Sequence, residues 1–371
     1  MRFVLVVTAI LVAVYAYVAS RLASQAWQAA ALALPFFLIW IVPVYYWRSD
    51  REDERFIDQI AHQASYLSMA WLSFVLVLTL ARDFLLLATL WTPGLHALLS
   101  QAGVPVVLAG SLVALAVGAL AAYRGPSIKQ VDVAIEGLHP DLQGFRIAQI
   151  SDLHVGRTIR ERYVRRVVQL TQSLSPDLVA LTGDMVDGPV ERLAPHVAPL
   201  RELAQDGRAF FVLGNHDCYA GAGAWIAHFQ SMGMRVLLNA HVMVSKGAAR
   251  MLVGGVLDPA VARSNPGAGP RPDLAAGNCD AAGFRLLLAH NPKIAPLGER
   301  AGFDLQLSGH THAGQFFPWT LAVRLVHAPH VAGLSREGRM WVYVSAGTGT
   351  WGPPVRLGTS PELTLLRLLR A

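Results

Sequence analysis

Hydrophobic and polar positions follow two different rules along this chain, and the change falls near residue 125. Before it, long apolar stretches are interrupted by short polar pieces. A bilayer core of about 30 Å needs about 20 mostly apolar helical residues, and four stretches meet that requirement: 3–20, 29–47, 66–90 and 104–123. The third carries Arg82 and Asp83, so its span is expected to end near Arg82, with an interfacial segment broken at Pro93–Gly94. Phe84–Leu99 is the one stretch that could add a fifth span and reverse the side of everything after it. The first stretch is too long for the apolar core of a signal peptide and a second follows closely, so it is read as an anchor.

After residue 125 the period shortens. Apolar runs of four to six residues alternate with amphipathic segments, the pattern of a layered α/β domain. Strands are expected at Val131–Ile135, Phe145–Ile150, Leu178–Leu181, Ala209–Leu213, Arg235–Leu238, Met251–Val256, Phe284–Ala289, Phe303–Leu307, Met340–Val344 and Leu363–Leu368. Helices are expected at Glu161–Leu174, which Ser175–Pro176 ends, around Glu191–Gln205, and at Ala222–Met232. Pro259–Ala282, rich in Gly, Pro, Ala and Asn, reads as a surface loop or lid. Residues 1–124 are thus a transmembrane anchor of about four helices, and 125–371 one α/β domain.

Composition agrees with this division: 53% of the 371 residues are hydrophobic and the mean hydropathy is +0.39, an excess carried by the first third. The net charge of +6 comes without a clustered Lys/Arg run, so a basic membrane protein beside anionic lipid is preferred to a nucleic-acid binder. Arg2, Arg48, Arg51, Arg55, Arg124 and Lys129 fall on one side of a four-span scheme and Arg21 almost alone on the other. The rule that cytoplasmic loops retain positive charge then puts both termini and the α/β domain in the cytoplasm. Trp40, Tyr45, Tyr46, Trp47, Trp91 and Tyr123 are expected at the membrane interfaces. Cys218 and Cys279 are far apart and outside any CxxC pattern, which excludes a disulfide scaffold.

Polar residues appear in the α/β part at particular places, because five of the apolar strands end in a small group of Asp, His or Asn. These are Asp152-Leu153-His154, Gly183-Asp184, Gly214-Asn215-His216-Asp217, Ala289-His290-Asn291 and Gly309-His310-Thr311-His312. Ligands of open α/β sheets bind beyond the carboxyl ends of the strands, so the five groups are expected to converge. Carboxylate oxygen and imidazole nitrogen without thiolate suit Mn, Fe or Zn. Asp152 and His154 alternate along an expected extended chain, which points them to one side, and the glycines beside Asp184, Asn215 and His310 permit sharp turns and close approach. Each piece alone is a common turn or a packing histidine; five in order, each after a strand, are specific.

The order D-x-H, GD, GNHD, H, GHTH resembles the calcineurin-like metallophosphoesterase superfamily, over roughly Ile128–Leu368. Gly309–Gln315 and the ending Val344–Leu357 resemble its membrane-associated bacterial branch, which includes phosphodiesterases and a UDP-diacylglucosamine pyrophosphatase. The resemblance implies a four-layer α/β/β/α sandwich of two mixed sheets and two divalent metal ions. Asp152, His154, Asp184 and His312 would hold one metal, Asp184 would bridge, and Asn215, His290 and His310 would complete the second. It further implies in-line attack on a phosphodiester, pyrophosphate or phosphomonoester bond by a metal-bound hydroxide. His216 would act on the leaving group, with Asp217 orienting its ring. Asp187 is a candidate partner for a ligating histidine, and Asn291, Gln315 and Arg356 are candidate substrate contacts.

The expected partners are the bilayer and a phosphate ester, a lipid-linked one being favoured by the tether, with no nucleic acid; the expected address is the bacterial inner membrane. A competing reading makes the membrane part a sensor or transporter whose output is a regulated cyclic-nucleotide phosphodiesterase. The spans lack the paired intramembrane charges and broken repeats that such a role favours.

Overall fold

The computed structural model of the chain describes residues 2–41, 56–277 and 282–371. Two compact units emerge: Met1–Tyr123 with Phe316–Pro318 and Gly352–Leu357, and Arg124–Gln315 with Trp319–Trp351 and Gly358–Ala371.

The first unit contains helices α1 (Arg2–Leu22), α2 (Ala26–Ile39), α3 (Phe56–Ala88) and α4 (Pro93–Tyr123). Among the described residues three helices are long and apolar enough to cross a membrane: Leu5–Leu22, Ile57–Ala88 and Pro93–Tyr123. This corrects the expectation of four. Of the stretch 29–47, the described residues end at 41 and include the 14-residue α2, while Tyr45, Tyr46, Trp47, Arg48, Arg51 and Arg55 lie outside the described residues. Helix α3 runs on through Arg82 and Asp83 to Ala88, where an interfacial segment was expected to begin. The charges are tolerated because they are paired: Asp83 Oδ2 accepts from Arg21 Nε at 2.6 Å and from Tyr17 Oη at 2.8 Å. Pro93 opens α4 instead of breaking an interfacial segment, as suits a residue with no N–H to donate. Phe84–Leu99 is therefore divided between two helices.

Two short segments from later in the chain belong to this unit. Phe316 stacks edge-on against Phe74 of α3, with ring centroids 5.6 Å apart, in a cluster with Ala70 and Val355. The Arg356 N–H donates to the Gly118 carbonyl of α4 at 2.8 Å. A Cβ on Gly118 would lie 2.6 Å from Val355 Cγ1, so the close approach requires glycine there.

The second unit is built on twelve strands among the described residues: β1 (Ser127–Ile135), β2 (Arg146–Ile150), β3 (Leu178–Leu181), β4 (Ala209–Phe211), β5 (Arg235–Val236), β6 (Ala240–Lys246), β7 (Ala249–Gly255), β8 (Phe284–Leu288), β9 (Leu305–Ser308), β10 (Gly333–Glu337), β11 (Met340–Val344) and β12 (Glu362–Arg370). They form two six-stranded sheets, ordered β1-β12-β2-β3-β4-β5 and β10-β11-β9-β8-β7-β6. Both are mixed: β12 runs antiparallel to β2, β6 to β7 and β10 to β11, and the other pairs are parallel.

Side-chain alternation explains the layering. Ile147, Leu178, Ala180 and Phe210 of the first sheet share one core with Met251, Val253, Leu286, Leu288, Leu305 and Leu307 of the second. Their neighbours Val179, Leu181 and Phe211 point the other way, into a core with helix α5 (Glu161–Ser173). That helix buries Val164, Val167, Val168 and Thr171, spaced by three and four residues as one helical face requires. Leu252, Leu287 and Val342 face outward from the second sheet into a third core with Ala275, Ala276 and Ala295. The result is an α/β/β/α arrangement, whose remaining helices in chain order are α6 (Val190–Val197), α7 (Asn215–Tyr219), α8 (Ala222–Ser231), α9 (Pro272–Ala276), α10 (Ala295–Arg300) and α11 (Trp319–His327).

Three expectations fail locally. The helix around Glu191–Gln205 is α6 (Val190–Val197) followed by 3-10 turns, because Pro195 and Pro199 cannot donate backbone hydrogen bonds. Edge strands β6 and β10 were missed, since their half-exposed residues lack a continuous apolar run. Within Pro259–Ala282, Pro272, Ala275 and Ala276 are buried in a short helix, so part of that loop is core; residues 278–281, including Cys279, are outside the described residues.

Candidate metal centre

The parallel strands β2, β3 and β4, and β8 and β9, deliver the five polar groups at their carboxyl ends. Beyond the sheets the loops remain zipped together. Asp152 N donates to Gly183 O at 3.0 Å, His154 N to Asp184 O at 3.0 Å, and Gly309 N to His290 O at 3.0 Å. The two sheets are joined by Gln149, whose buried Nε2 donates to Thr182 Oγ1 and to Ser308 O, both at 2.8 Å.

Asp152, His154, Asp184, His310 and His312 all have positive φ, between 49° and 73°. Asp152 and His154 are therefore not on an extended chain as expected. The left-handed kinks turn both toward the centre while Leu153 between them is buried in the core. Each such kink costs on the order of 1–3 kcal/mol and persists where surrounding structure over-determines it, typically at functional sites. Close approach does the over-determining: a Cβ on Gly214 would lie 2.1 Å from Asp184 Oδ1, and one on Gly309 2.1 Å from Asp152 Oδ2.

The side chains gather into three donor groups: Asp152, His154 and His312; His154, Asp184 and His216; and Asp184, His290 and His310. His154 Nε2 and His312 Nε2 face each other at 3.0 Å, and Asp152 Oδ1 lies 3.5 Å from His312 Nε2. Asp184 Oδ2 lies 3.8 Å from His154 Nε2 and 3.2 Å from His290 Nε2. Asn215 Oδ1 completes the second side, 3.2 Å from His290 Nε2 and 2.9 Å from His310 Nδ1.

The remaining ring atoms fix which nitrogen points inward. A carbonyl can only accept, so His290 Nδ1–H donates to Thr182 O at 2.8 Å and its Nε2 is presented to the centre. His154 Nδ1 donates to Asp187 Oδ1 at 2.9 Å, leaving Nε2 inward. Asp187 also takes His216 Nδ1 at 2.8 Å. Asp217 does not orient His216 as expected: its buried carboxylate accepts the N–H groups of Asp184, Met185, Val186 and Gly214, and so staples the two loops together. Asn291 accepts from Lys293 N as a turn cap. Gln315 clasps the Trp351 backbone through Nε2 to O at 2.9 Å and N to Oε1 at 2.8 Å. Arg356 is grouped with the first unit. Gln149 and Thr182 were not singled out in the sequence; a Gln at a core-facing strand position was the available sign.

The charge pattern suits cations. Burial opposes charge on His154, but Asp187, Asp184 and Asp152 outweigh it and raise its pKa to about 9. Burial likewise opposes charge on Asp184, yet His290, His154 and His216 hold the carboxyl well below its usual range. Burial, then the charge of His290, lowers His310 to about 3. Burial and the charge of Asp184 push Asp217 up to about 7, against its backbone donors. Asp152 Oδ2 is buried with no hydrogen-bond partner among the described residues. Buried carboxylates that draw protons onto neighbouring imidazoles, with a carboxylate oxygen left unpartnered, are what a site of O and N donors presents when protons stand where cations would bind.

Residues 145–314 match the family described as calcineurin-like phosphoesterase. The chain is also 31% identical over 224 residues to an uncharacterized metallophosphoesterase of Aquifex aeolicus, a match covering 60% of this chain and 84% of that one. The chain belongs to the calcineurin-like phosphoesterases. Among its relatives in this family is a Danio rerio protein named "Transmembrane protein with metallophosphoesterase domain", 35% identical over 262 residues and covering 68% of this chain and 60% of that one. A Bos taurus protein of the same name is 35% identical over 266 residues, covering 69% and 60%. The match thus spans about three-fifths of the length of these two relatives. Calcineurin-like phosphoesterase membership implies divalent metal ions, and the donor groups fit them. The transmembrane naming of the relatives and the apolar helices together support membrane association.

Proposed function

We propose that this calcineurin-like phosphoesterase is a membrane-anchored, two-metal hydrolase of phosphate esters or anhydrides, with residues 1–124 as anchor and 125–371 as catalytic domain. The observation that carries the reading is the position of the Asp184 carboxylate, whose Oδ2 lies 3.8 Å from His154 Nε2 and 3.2 Å from His290 Nε2, between the two donor sets, so that it can bridge two cations. Asp152, His154 and His312 would complete one site, and Asn215, His290 and His310 the other. Mn, Fe and Zn all accept this donor set.

Two divalent ions there would polarise a phosphoryl oxygen and acidify water. The chain's own contribution is positioning and proton transfer. Asp187 holds His154 and His216 by their Nδ1 atoms, so His216 offers Nε2 for protonating a leaving oxygen. The His216 N–H, donating to Asp184 Oδ1 at 2.7 Å, fixes that loop against the bridging carboxylate. Gln315 serves the site by holding Trp351, whose ring lies 5.7 Å from that of His216. A bacterial inner-membrane address with the catalytic domain in the cytoplasm is supported by Arg124 and Lys129 just after α4.

Purified full-length protein loaded with Mn²⁺ should hydrolyse bis-p-nitrophenyl phosphate and contain two metal ions per chain by elemental analysis. Asp184→Ala should lose metal and about 100-fold or more of kcat. A variant with full metal content and full activity would overturn the reading.

A further inference from the structure

Helix α11 (Trp319–His327) buries none of its residues, although five of the nine are large and apolar. Leu325 is 90% exposed, Val326 60%, Leu321 54% and Trp319 48%. Leu321 and Leu325 are four residues apart and share a face. The helix has no acidic residue, and its one cation, Arg324, lies in the last turn, since burial and then Lys293 lower the His327 pKa and keep that ring neutral. Apolar side chains with basic and no acidic partners are the composition of a helix that lies in the surface of an anionic bilayer.

Two further observations select a bilayer over another occupant. The chain enters α11 directly from Phe316–Pro318, the segment grouped with the candidate membrane spans, where Phe316 packs on Phe74. At its other end, α11 reaches the metal centre: the His327 ring lies 5.2 Å from that of His310. The rim of that centre carries more exposed aromatic surface, because Trp351 and Tyr219 each place a ring 5.7 Å from His216 and both are more than half exposed.

We propose that α11 inserts its Trp319, Leu321, Leu325 and Val326 side chains into the bilayer surface, so that an amphiphilic phosphate ester reaches the metal centre from the lipid phase. The insertion stands on α11 itself; the route of the substrate rests on the phosphoesterase reading above.

Two measurements on the full-length protein in phosphatidylglycerol-containing vesicles separate these parts. A nitroxide at Leu325→Cys, with Cys218 and Cys279 replaced by serine, should be relaxed by oxygen and shielded from a water-soluble nickel complex. Free access of nickel would overturn the insertion, as would shielding from both, which would mean that a second protein copy covers the helix. In the second measurement, Leu321→Glu and Leu325→Glu should lower kcat/KM for vesicle-borne hexadecyl p-nitrophenyl phosphate by about tenfold or more. Their hydrolysis of soluble bis-p-nitrophenyl phosphate should stay within about twofold of the parent. Equal activity on both substrates, or equal loss on both, would overturn the lipid route. If the parent protein hydrolyses neither, the phosphoesterase reading fails while the nitroxide result still judges the insertion.

Discussion

Asp187 supports two histidines at once, His154 in the donor cluster and His216 beside it, through a single Oδ1 atom. Replacing it with Asn keeps the size but exchanges a charged acceptor for a neutral one. Asp187→Asn should therefore lower metal affinity by about 10- to 100-fold, the usual effect of losing such a partner. His216→Ala should leave metal content intact and lower kcat by about 10²- to 10⁴-fold; unchanged kcat would remove His216 from the chemistry. The same charges predict how metal-free protein responds to pH. His154 and His290 are both raised in the folded state, so the stability they contribute is complete below about 6.5 and falls as pH rises, the His154 part being lost through about 9. Asp184 and Asp187 are lowered, so theirs is present above about 3.9 and is lost as pH falls. In chelator, the thermal midpoint should fall between pH 7 and 9.5, and Mn²⁺ should suppress that fall by displacing the imidazole protons. A flat profile in chelator would contradict the charge pattern described for the centre.

At the scale of elements, strands carry residues to the centre and glycines decide how closely the strand-end loops approach. Gly214→Ala would set a methyl group against Asp184 Oδ1, whereas a Cβ on Gly223 in helix α8 (Ala222–Ser231) meets nothing within 4 Å. Gly214→Ala should thus lose metal and activity. Gly223→Ala should keep both and gain about 0.5–1 kcal/mol in stability from its helix position. The expected strand ends were legible because an apolar run followed by Asp, His or Asn is a local pattern. The left-handed turns at Asp152 and His154 were not, since local sequence favours an extended continuation there and contacts distant in sequence, with the Gly183–Asp184 loop, His310 and Gly349, hold the kinks. Edge strands β6 and β10 are less legible for a related reason: none of their residues is fully buried, and pairing with β7 and β11 defines them.

For the whole molecule, Phe316–Pro318 and Gly352–Leu357 are grouped with the apolar helices although they lie far from them in the chain. Gly118→Val would force Val355 away from α4 and strain the hydrogen bond from Arg356 N to Gly118 O. Overpacking of this kind costs about 1–3 kcal/mol, and a fall in the thermal midpoint of the full-length protein should report it. From sequence alone came the apolar first third, the α/β alternation, and the set of Asp, His and Asn residues at the strand ends, because each depends on composition or on short-range periodicity. Tertiary structure decided that Asp187, and not Asp217, holds His216, that Asp217 staples two loops, and that Arg356 belongs with the helices. These assignments join residues tens to hundreds of positions apart, and which carboxylate meets which ring is set by the packing of the two sheets and their loops, for which a linear pattern carries no record.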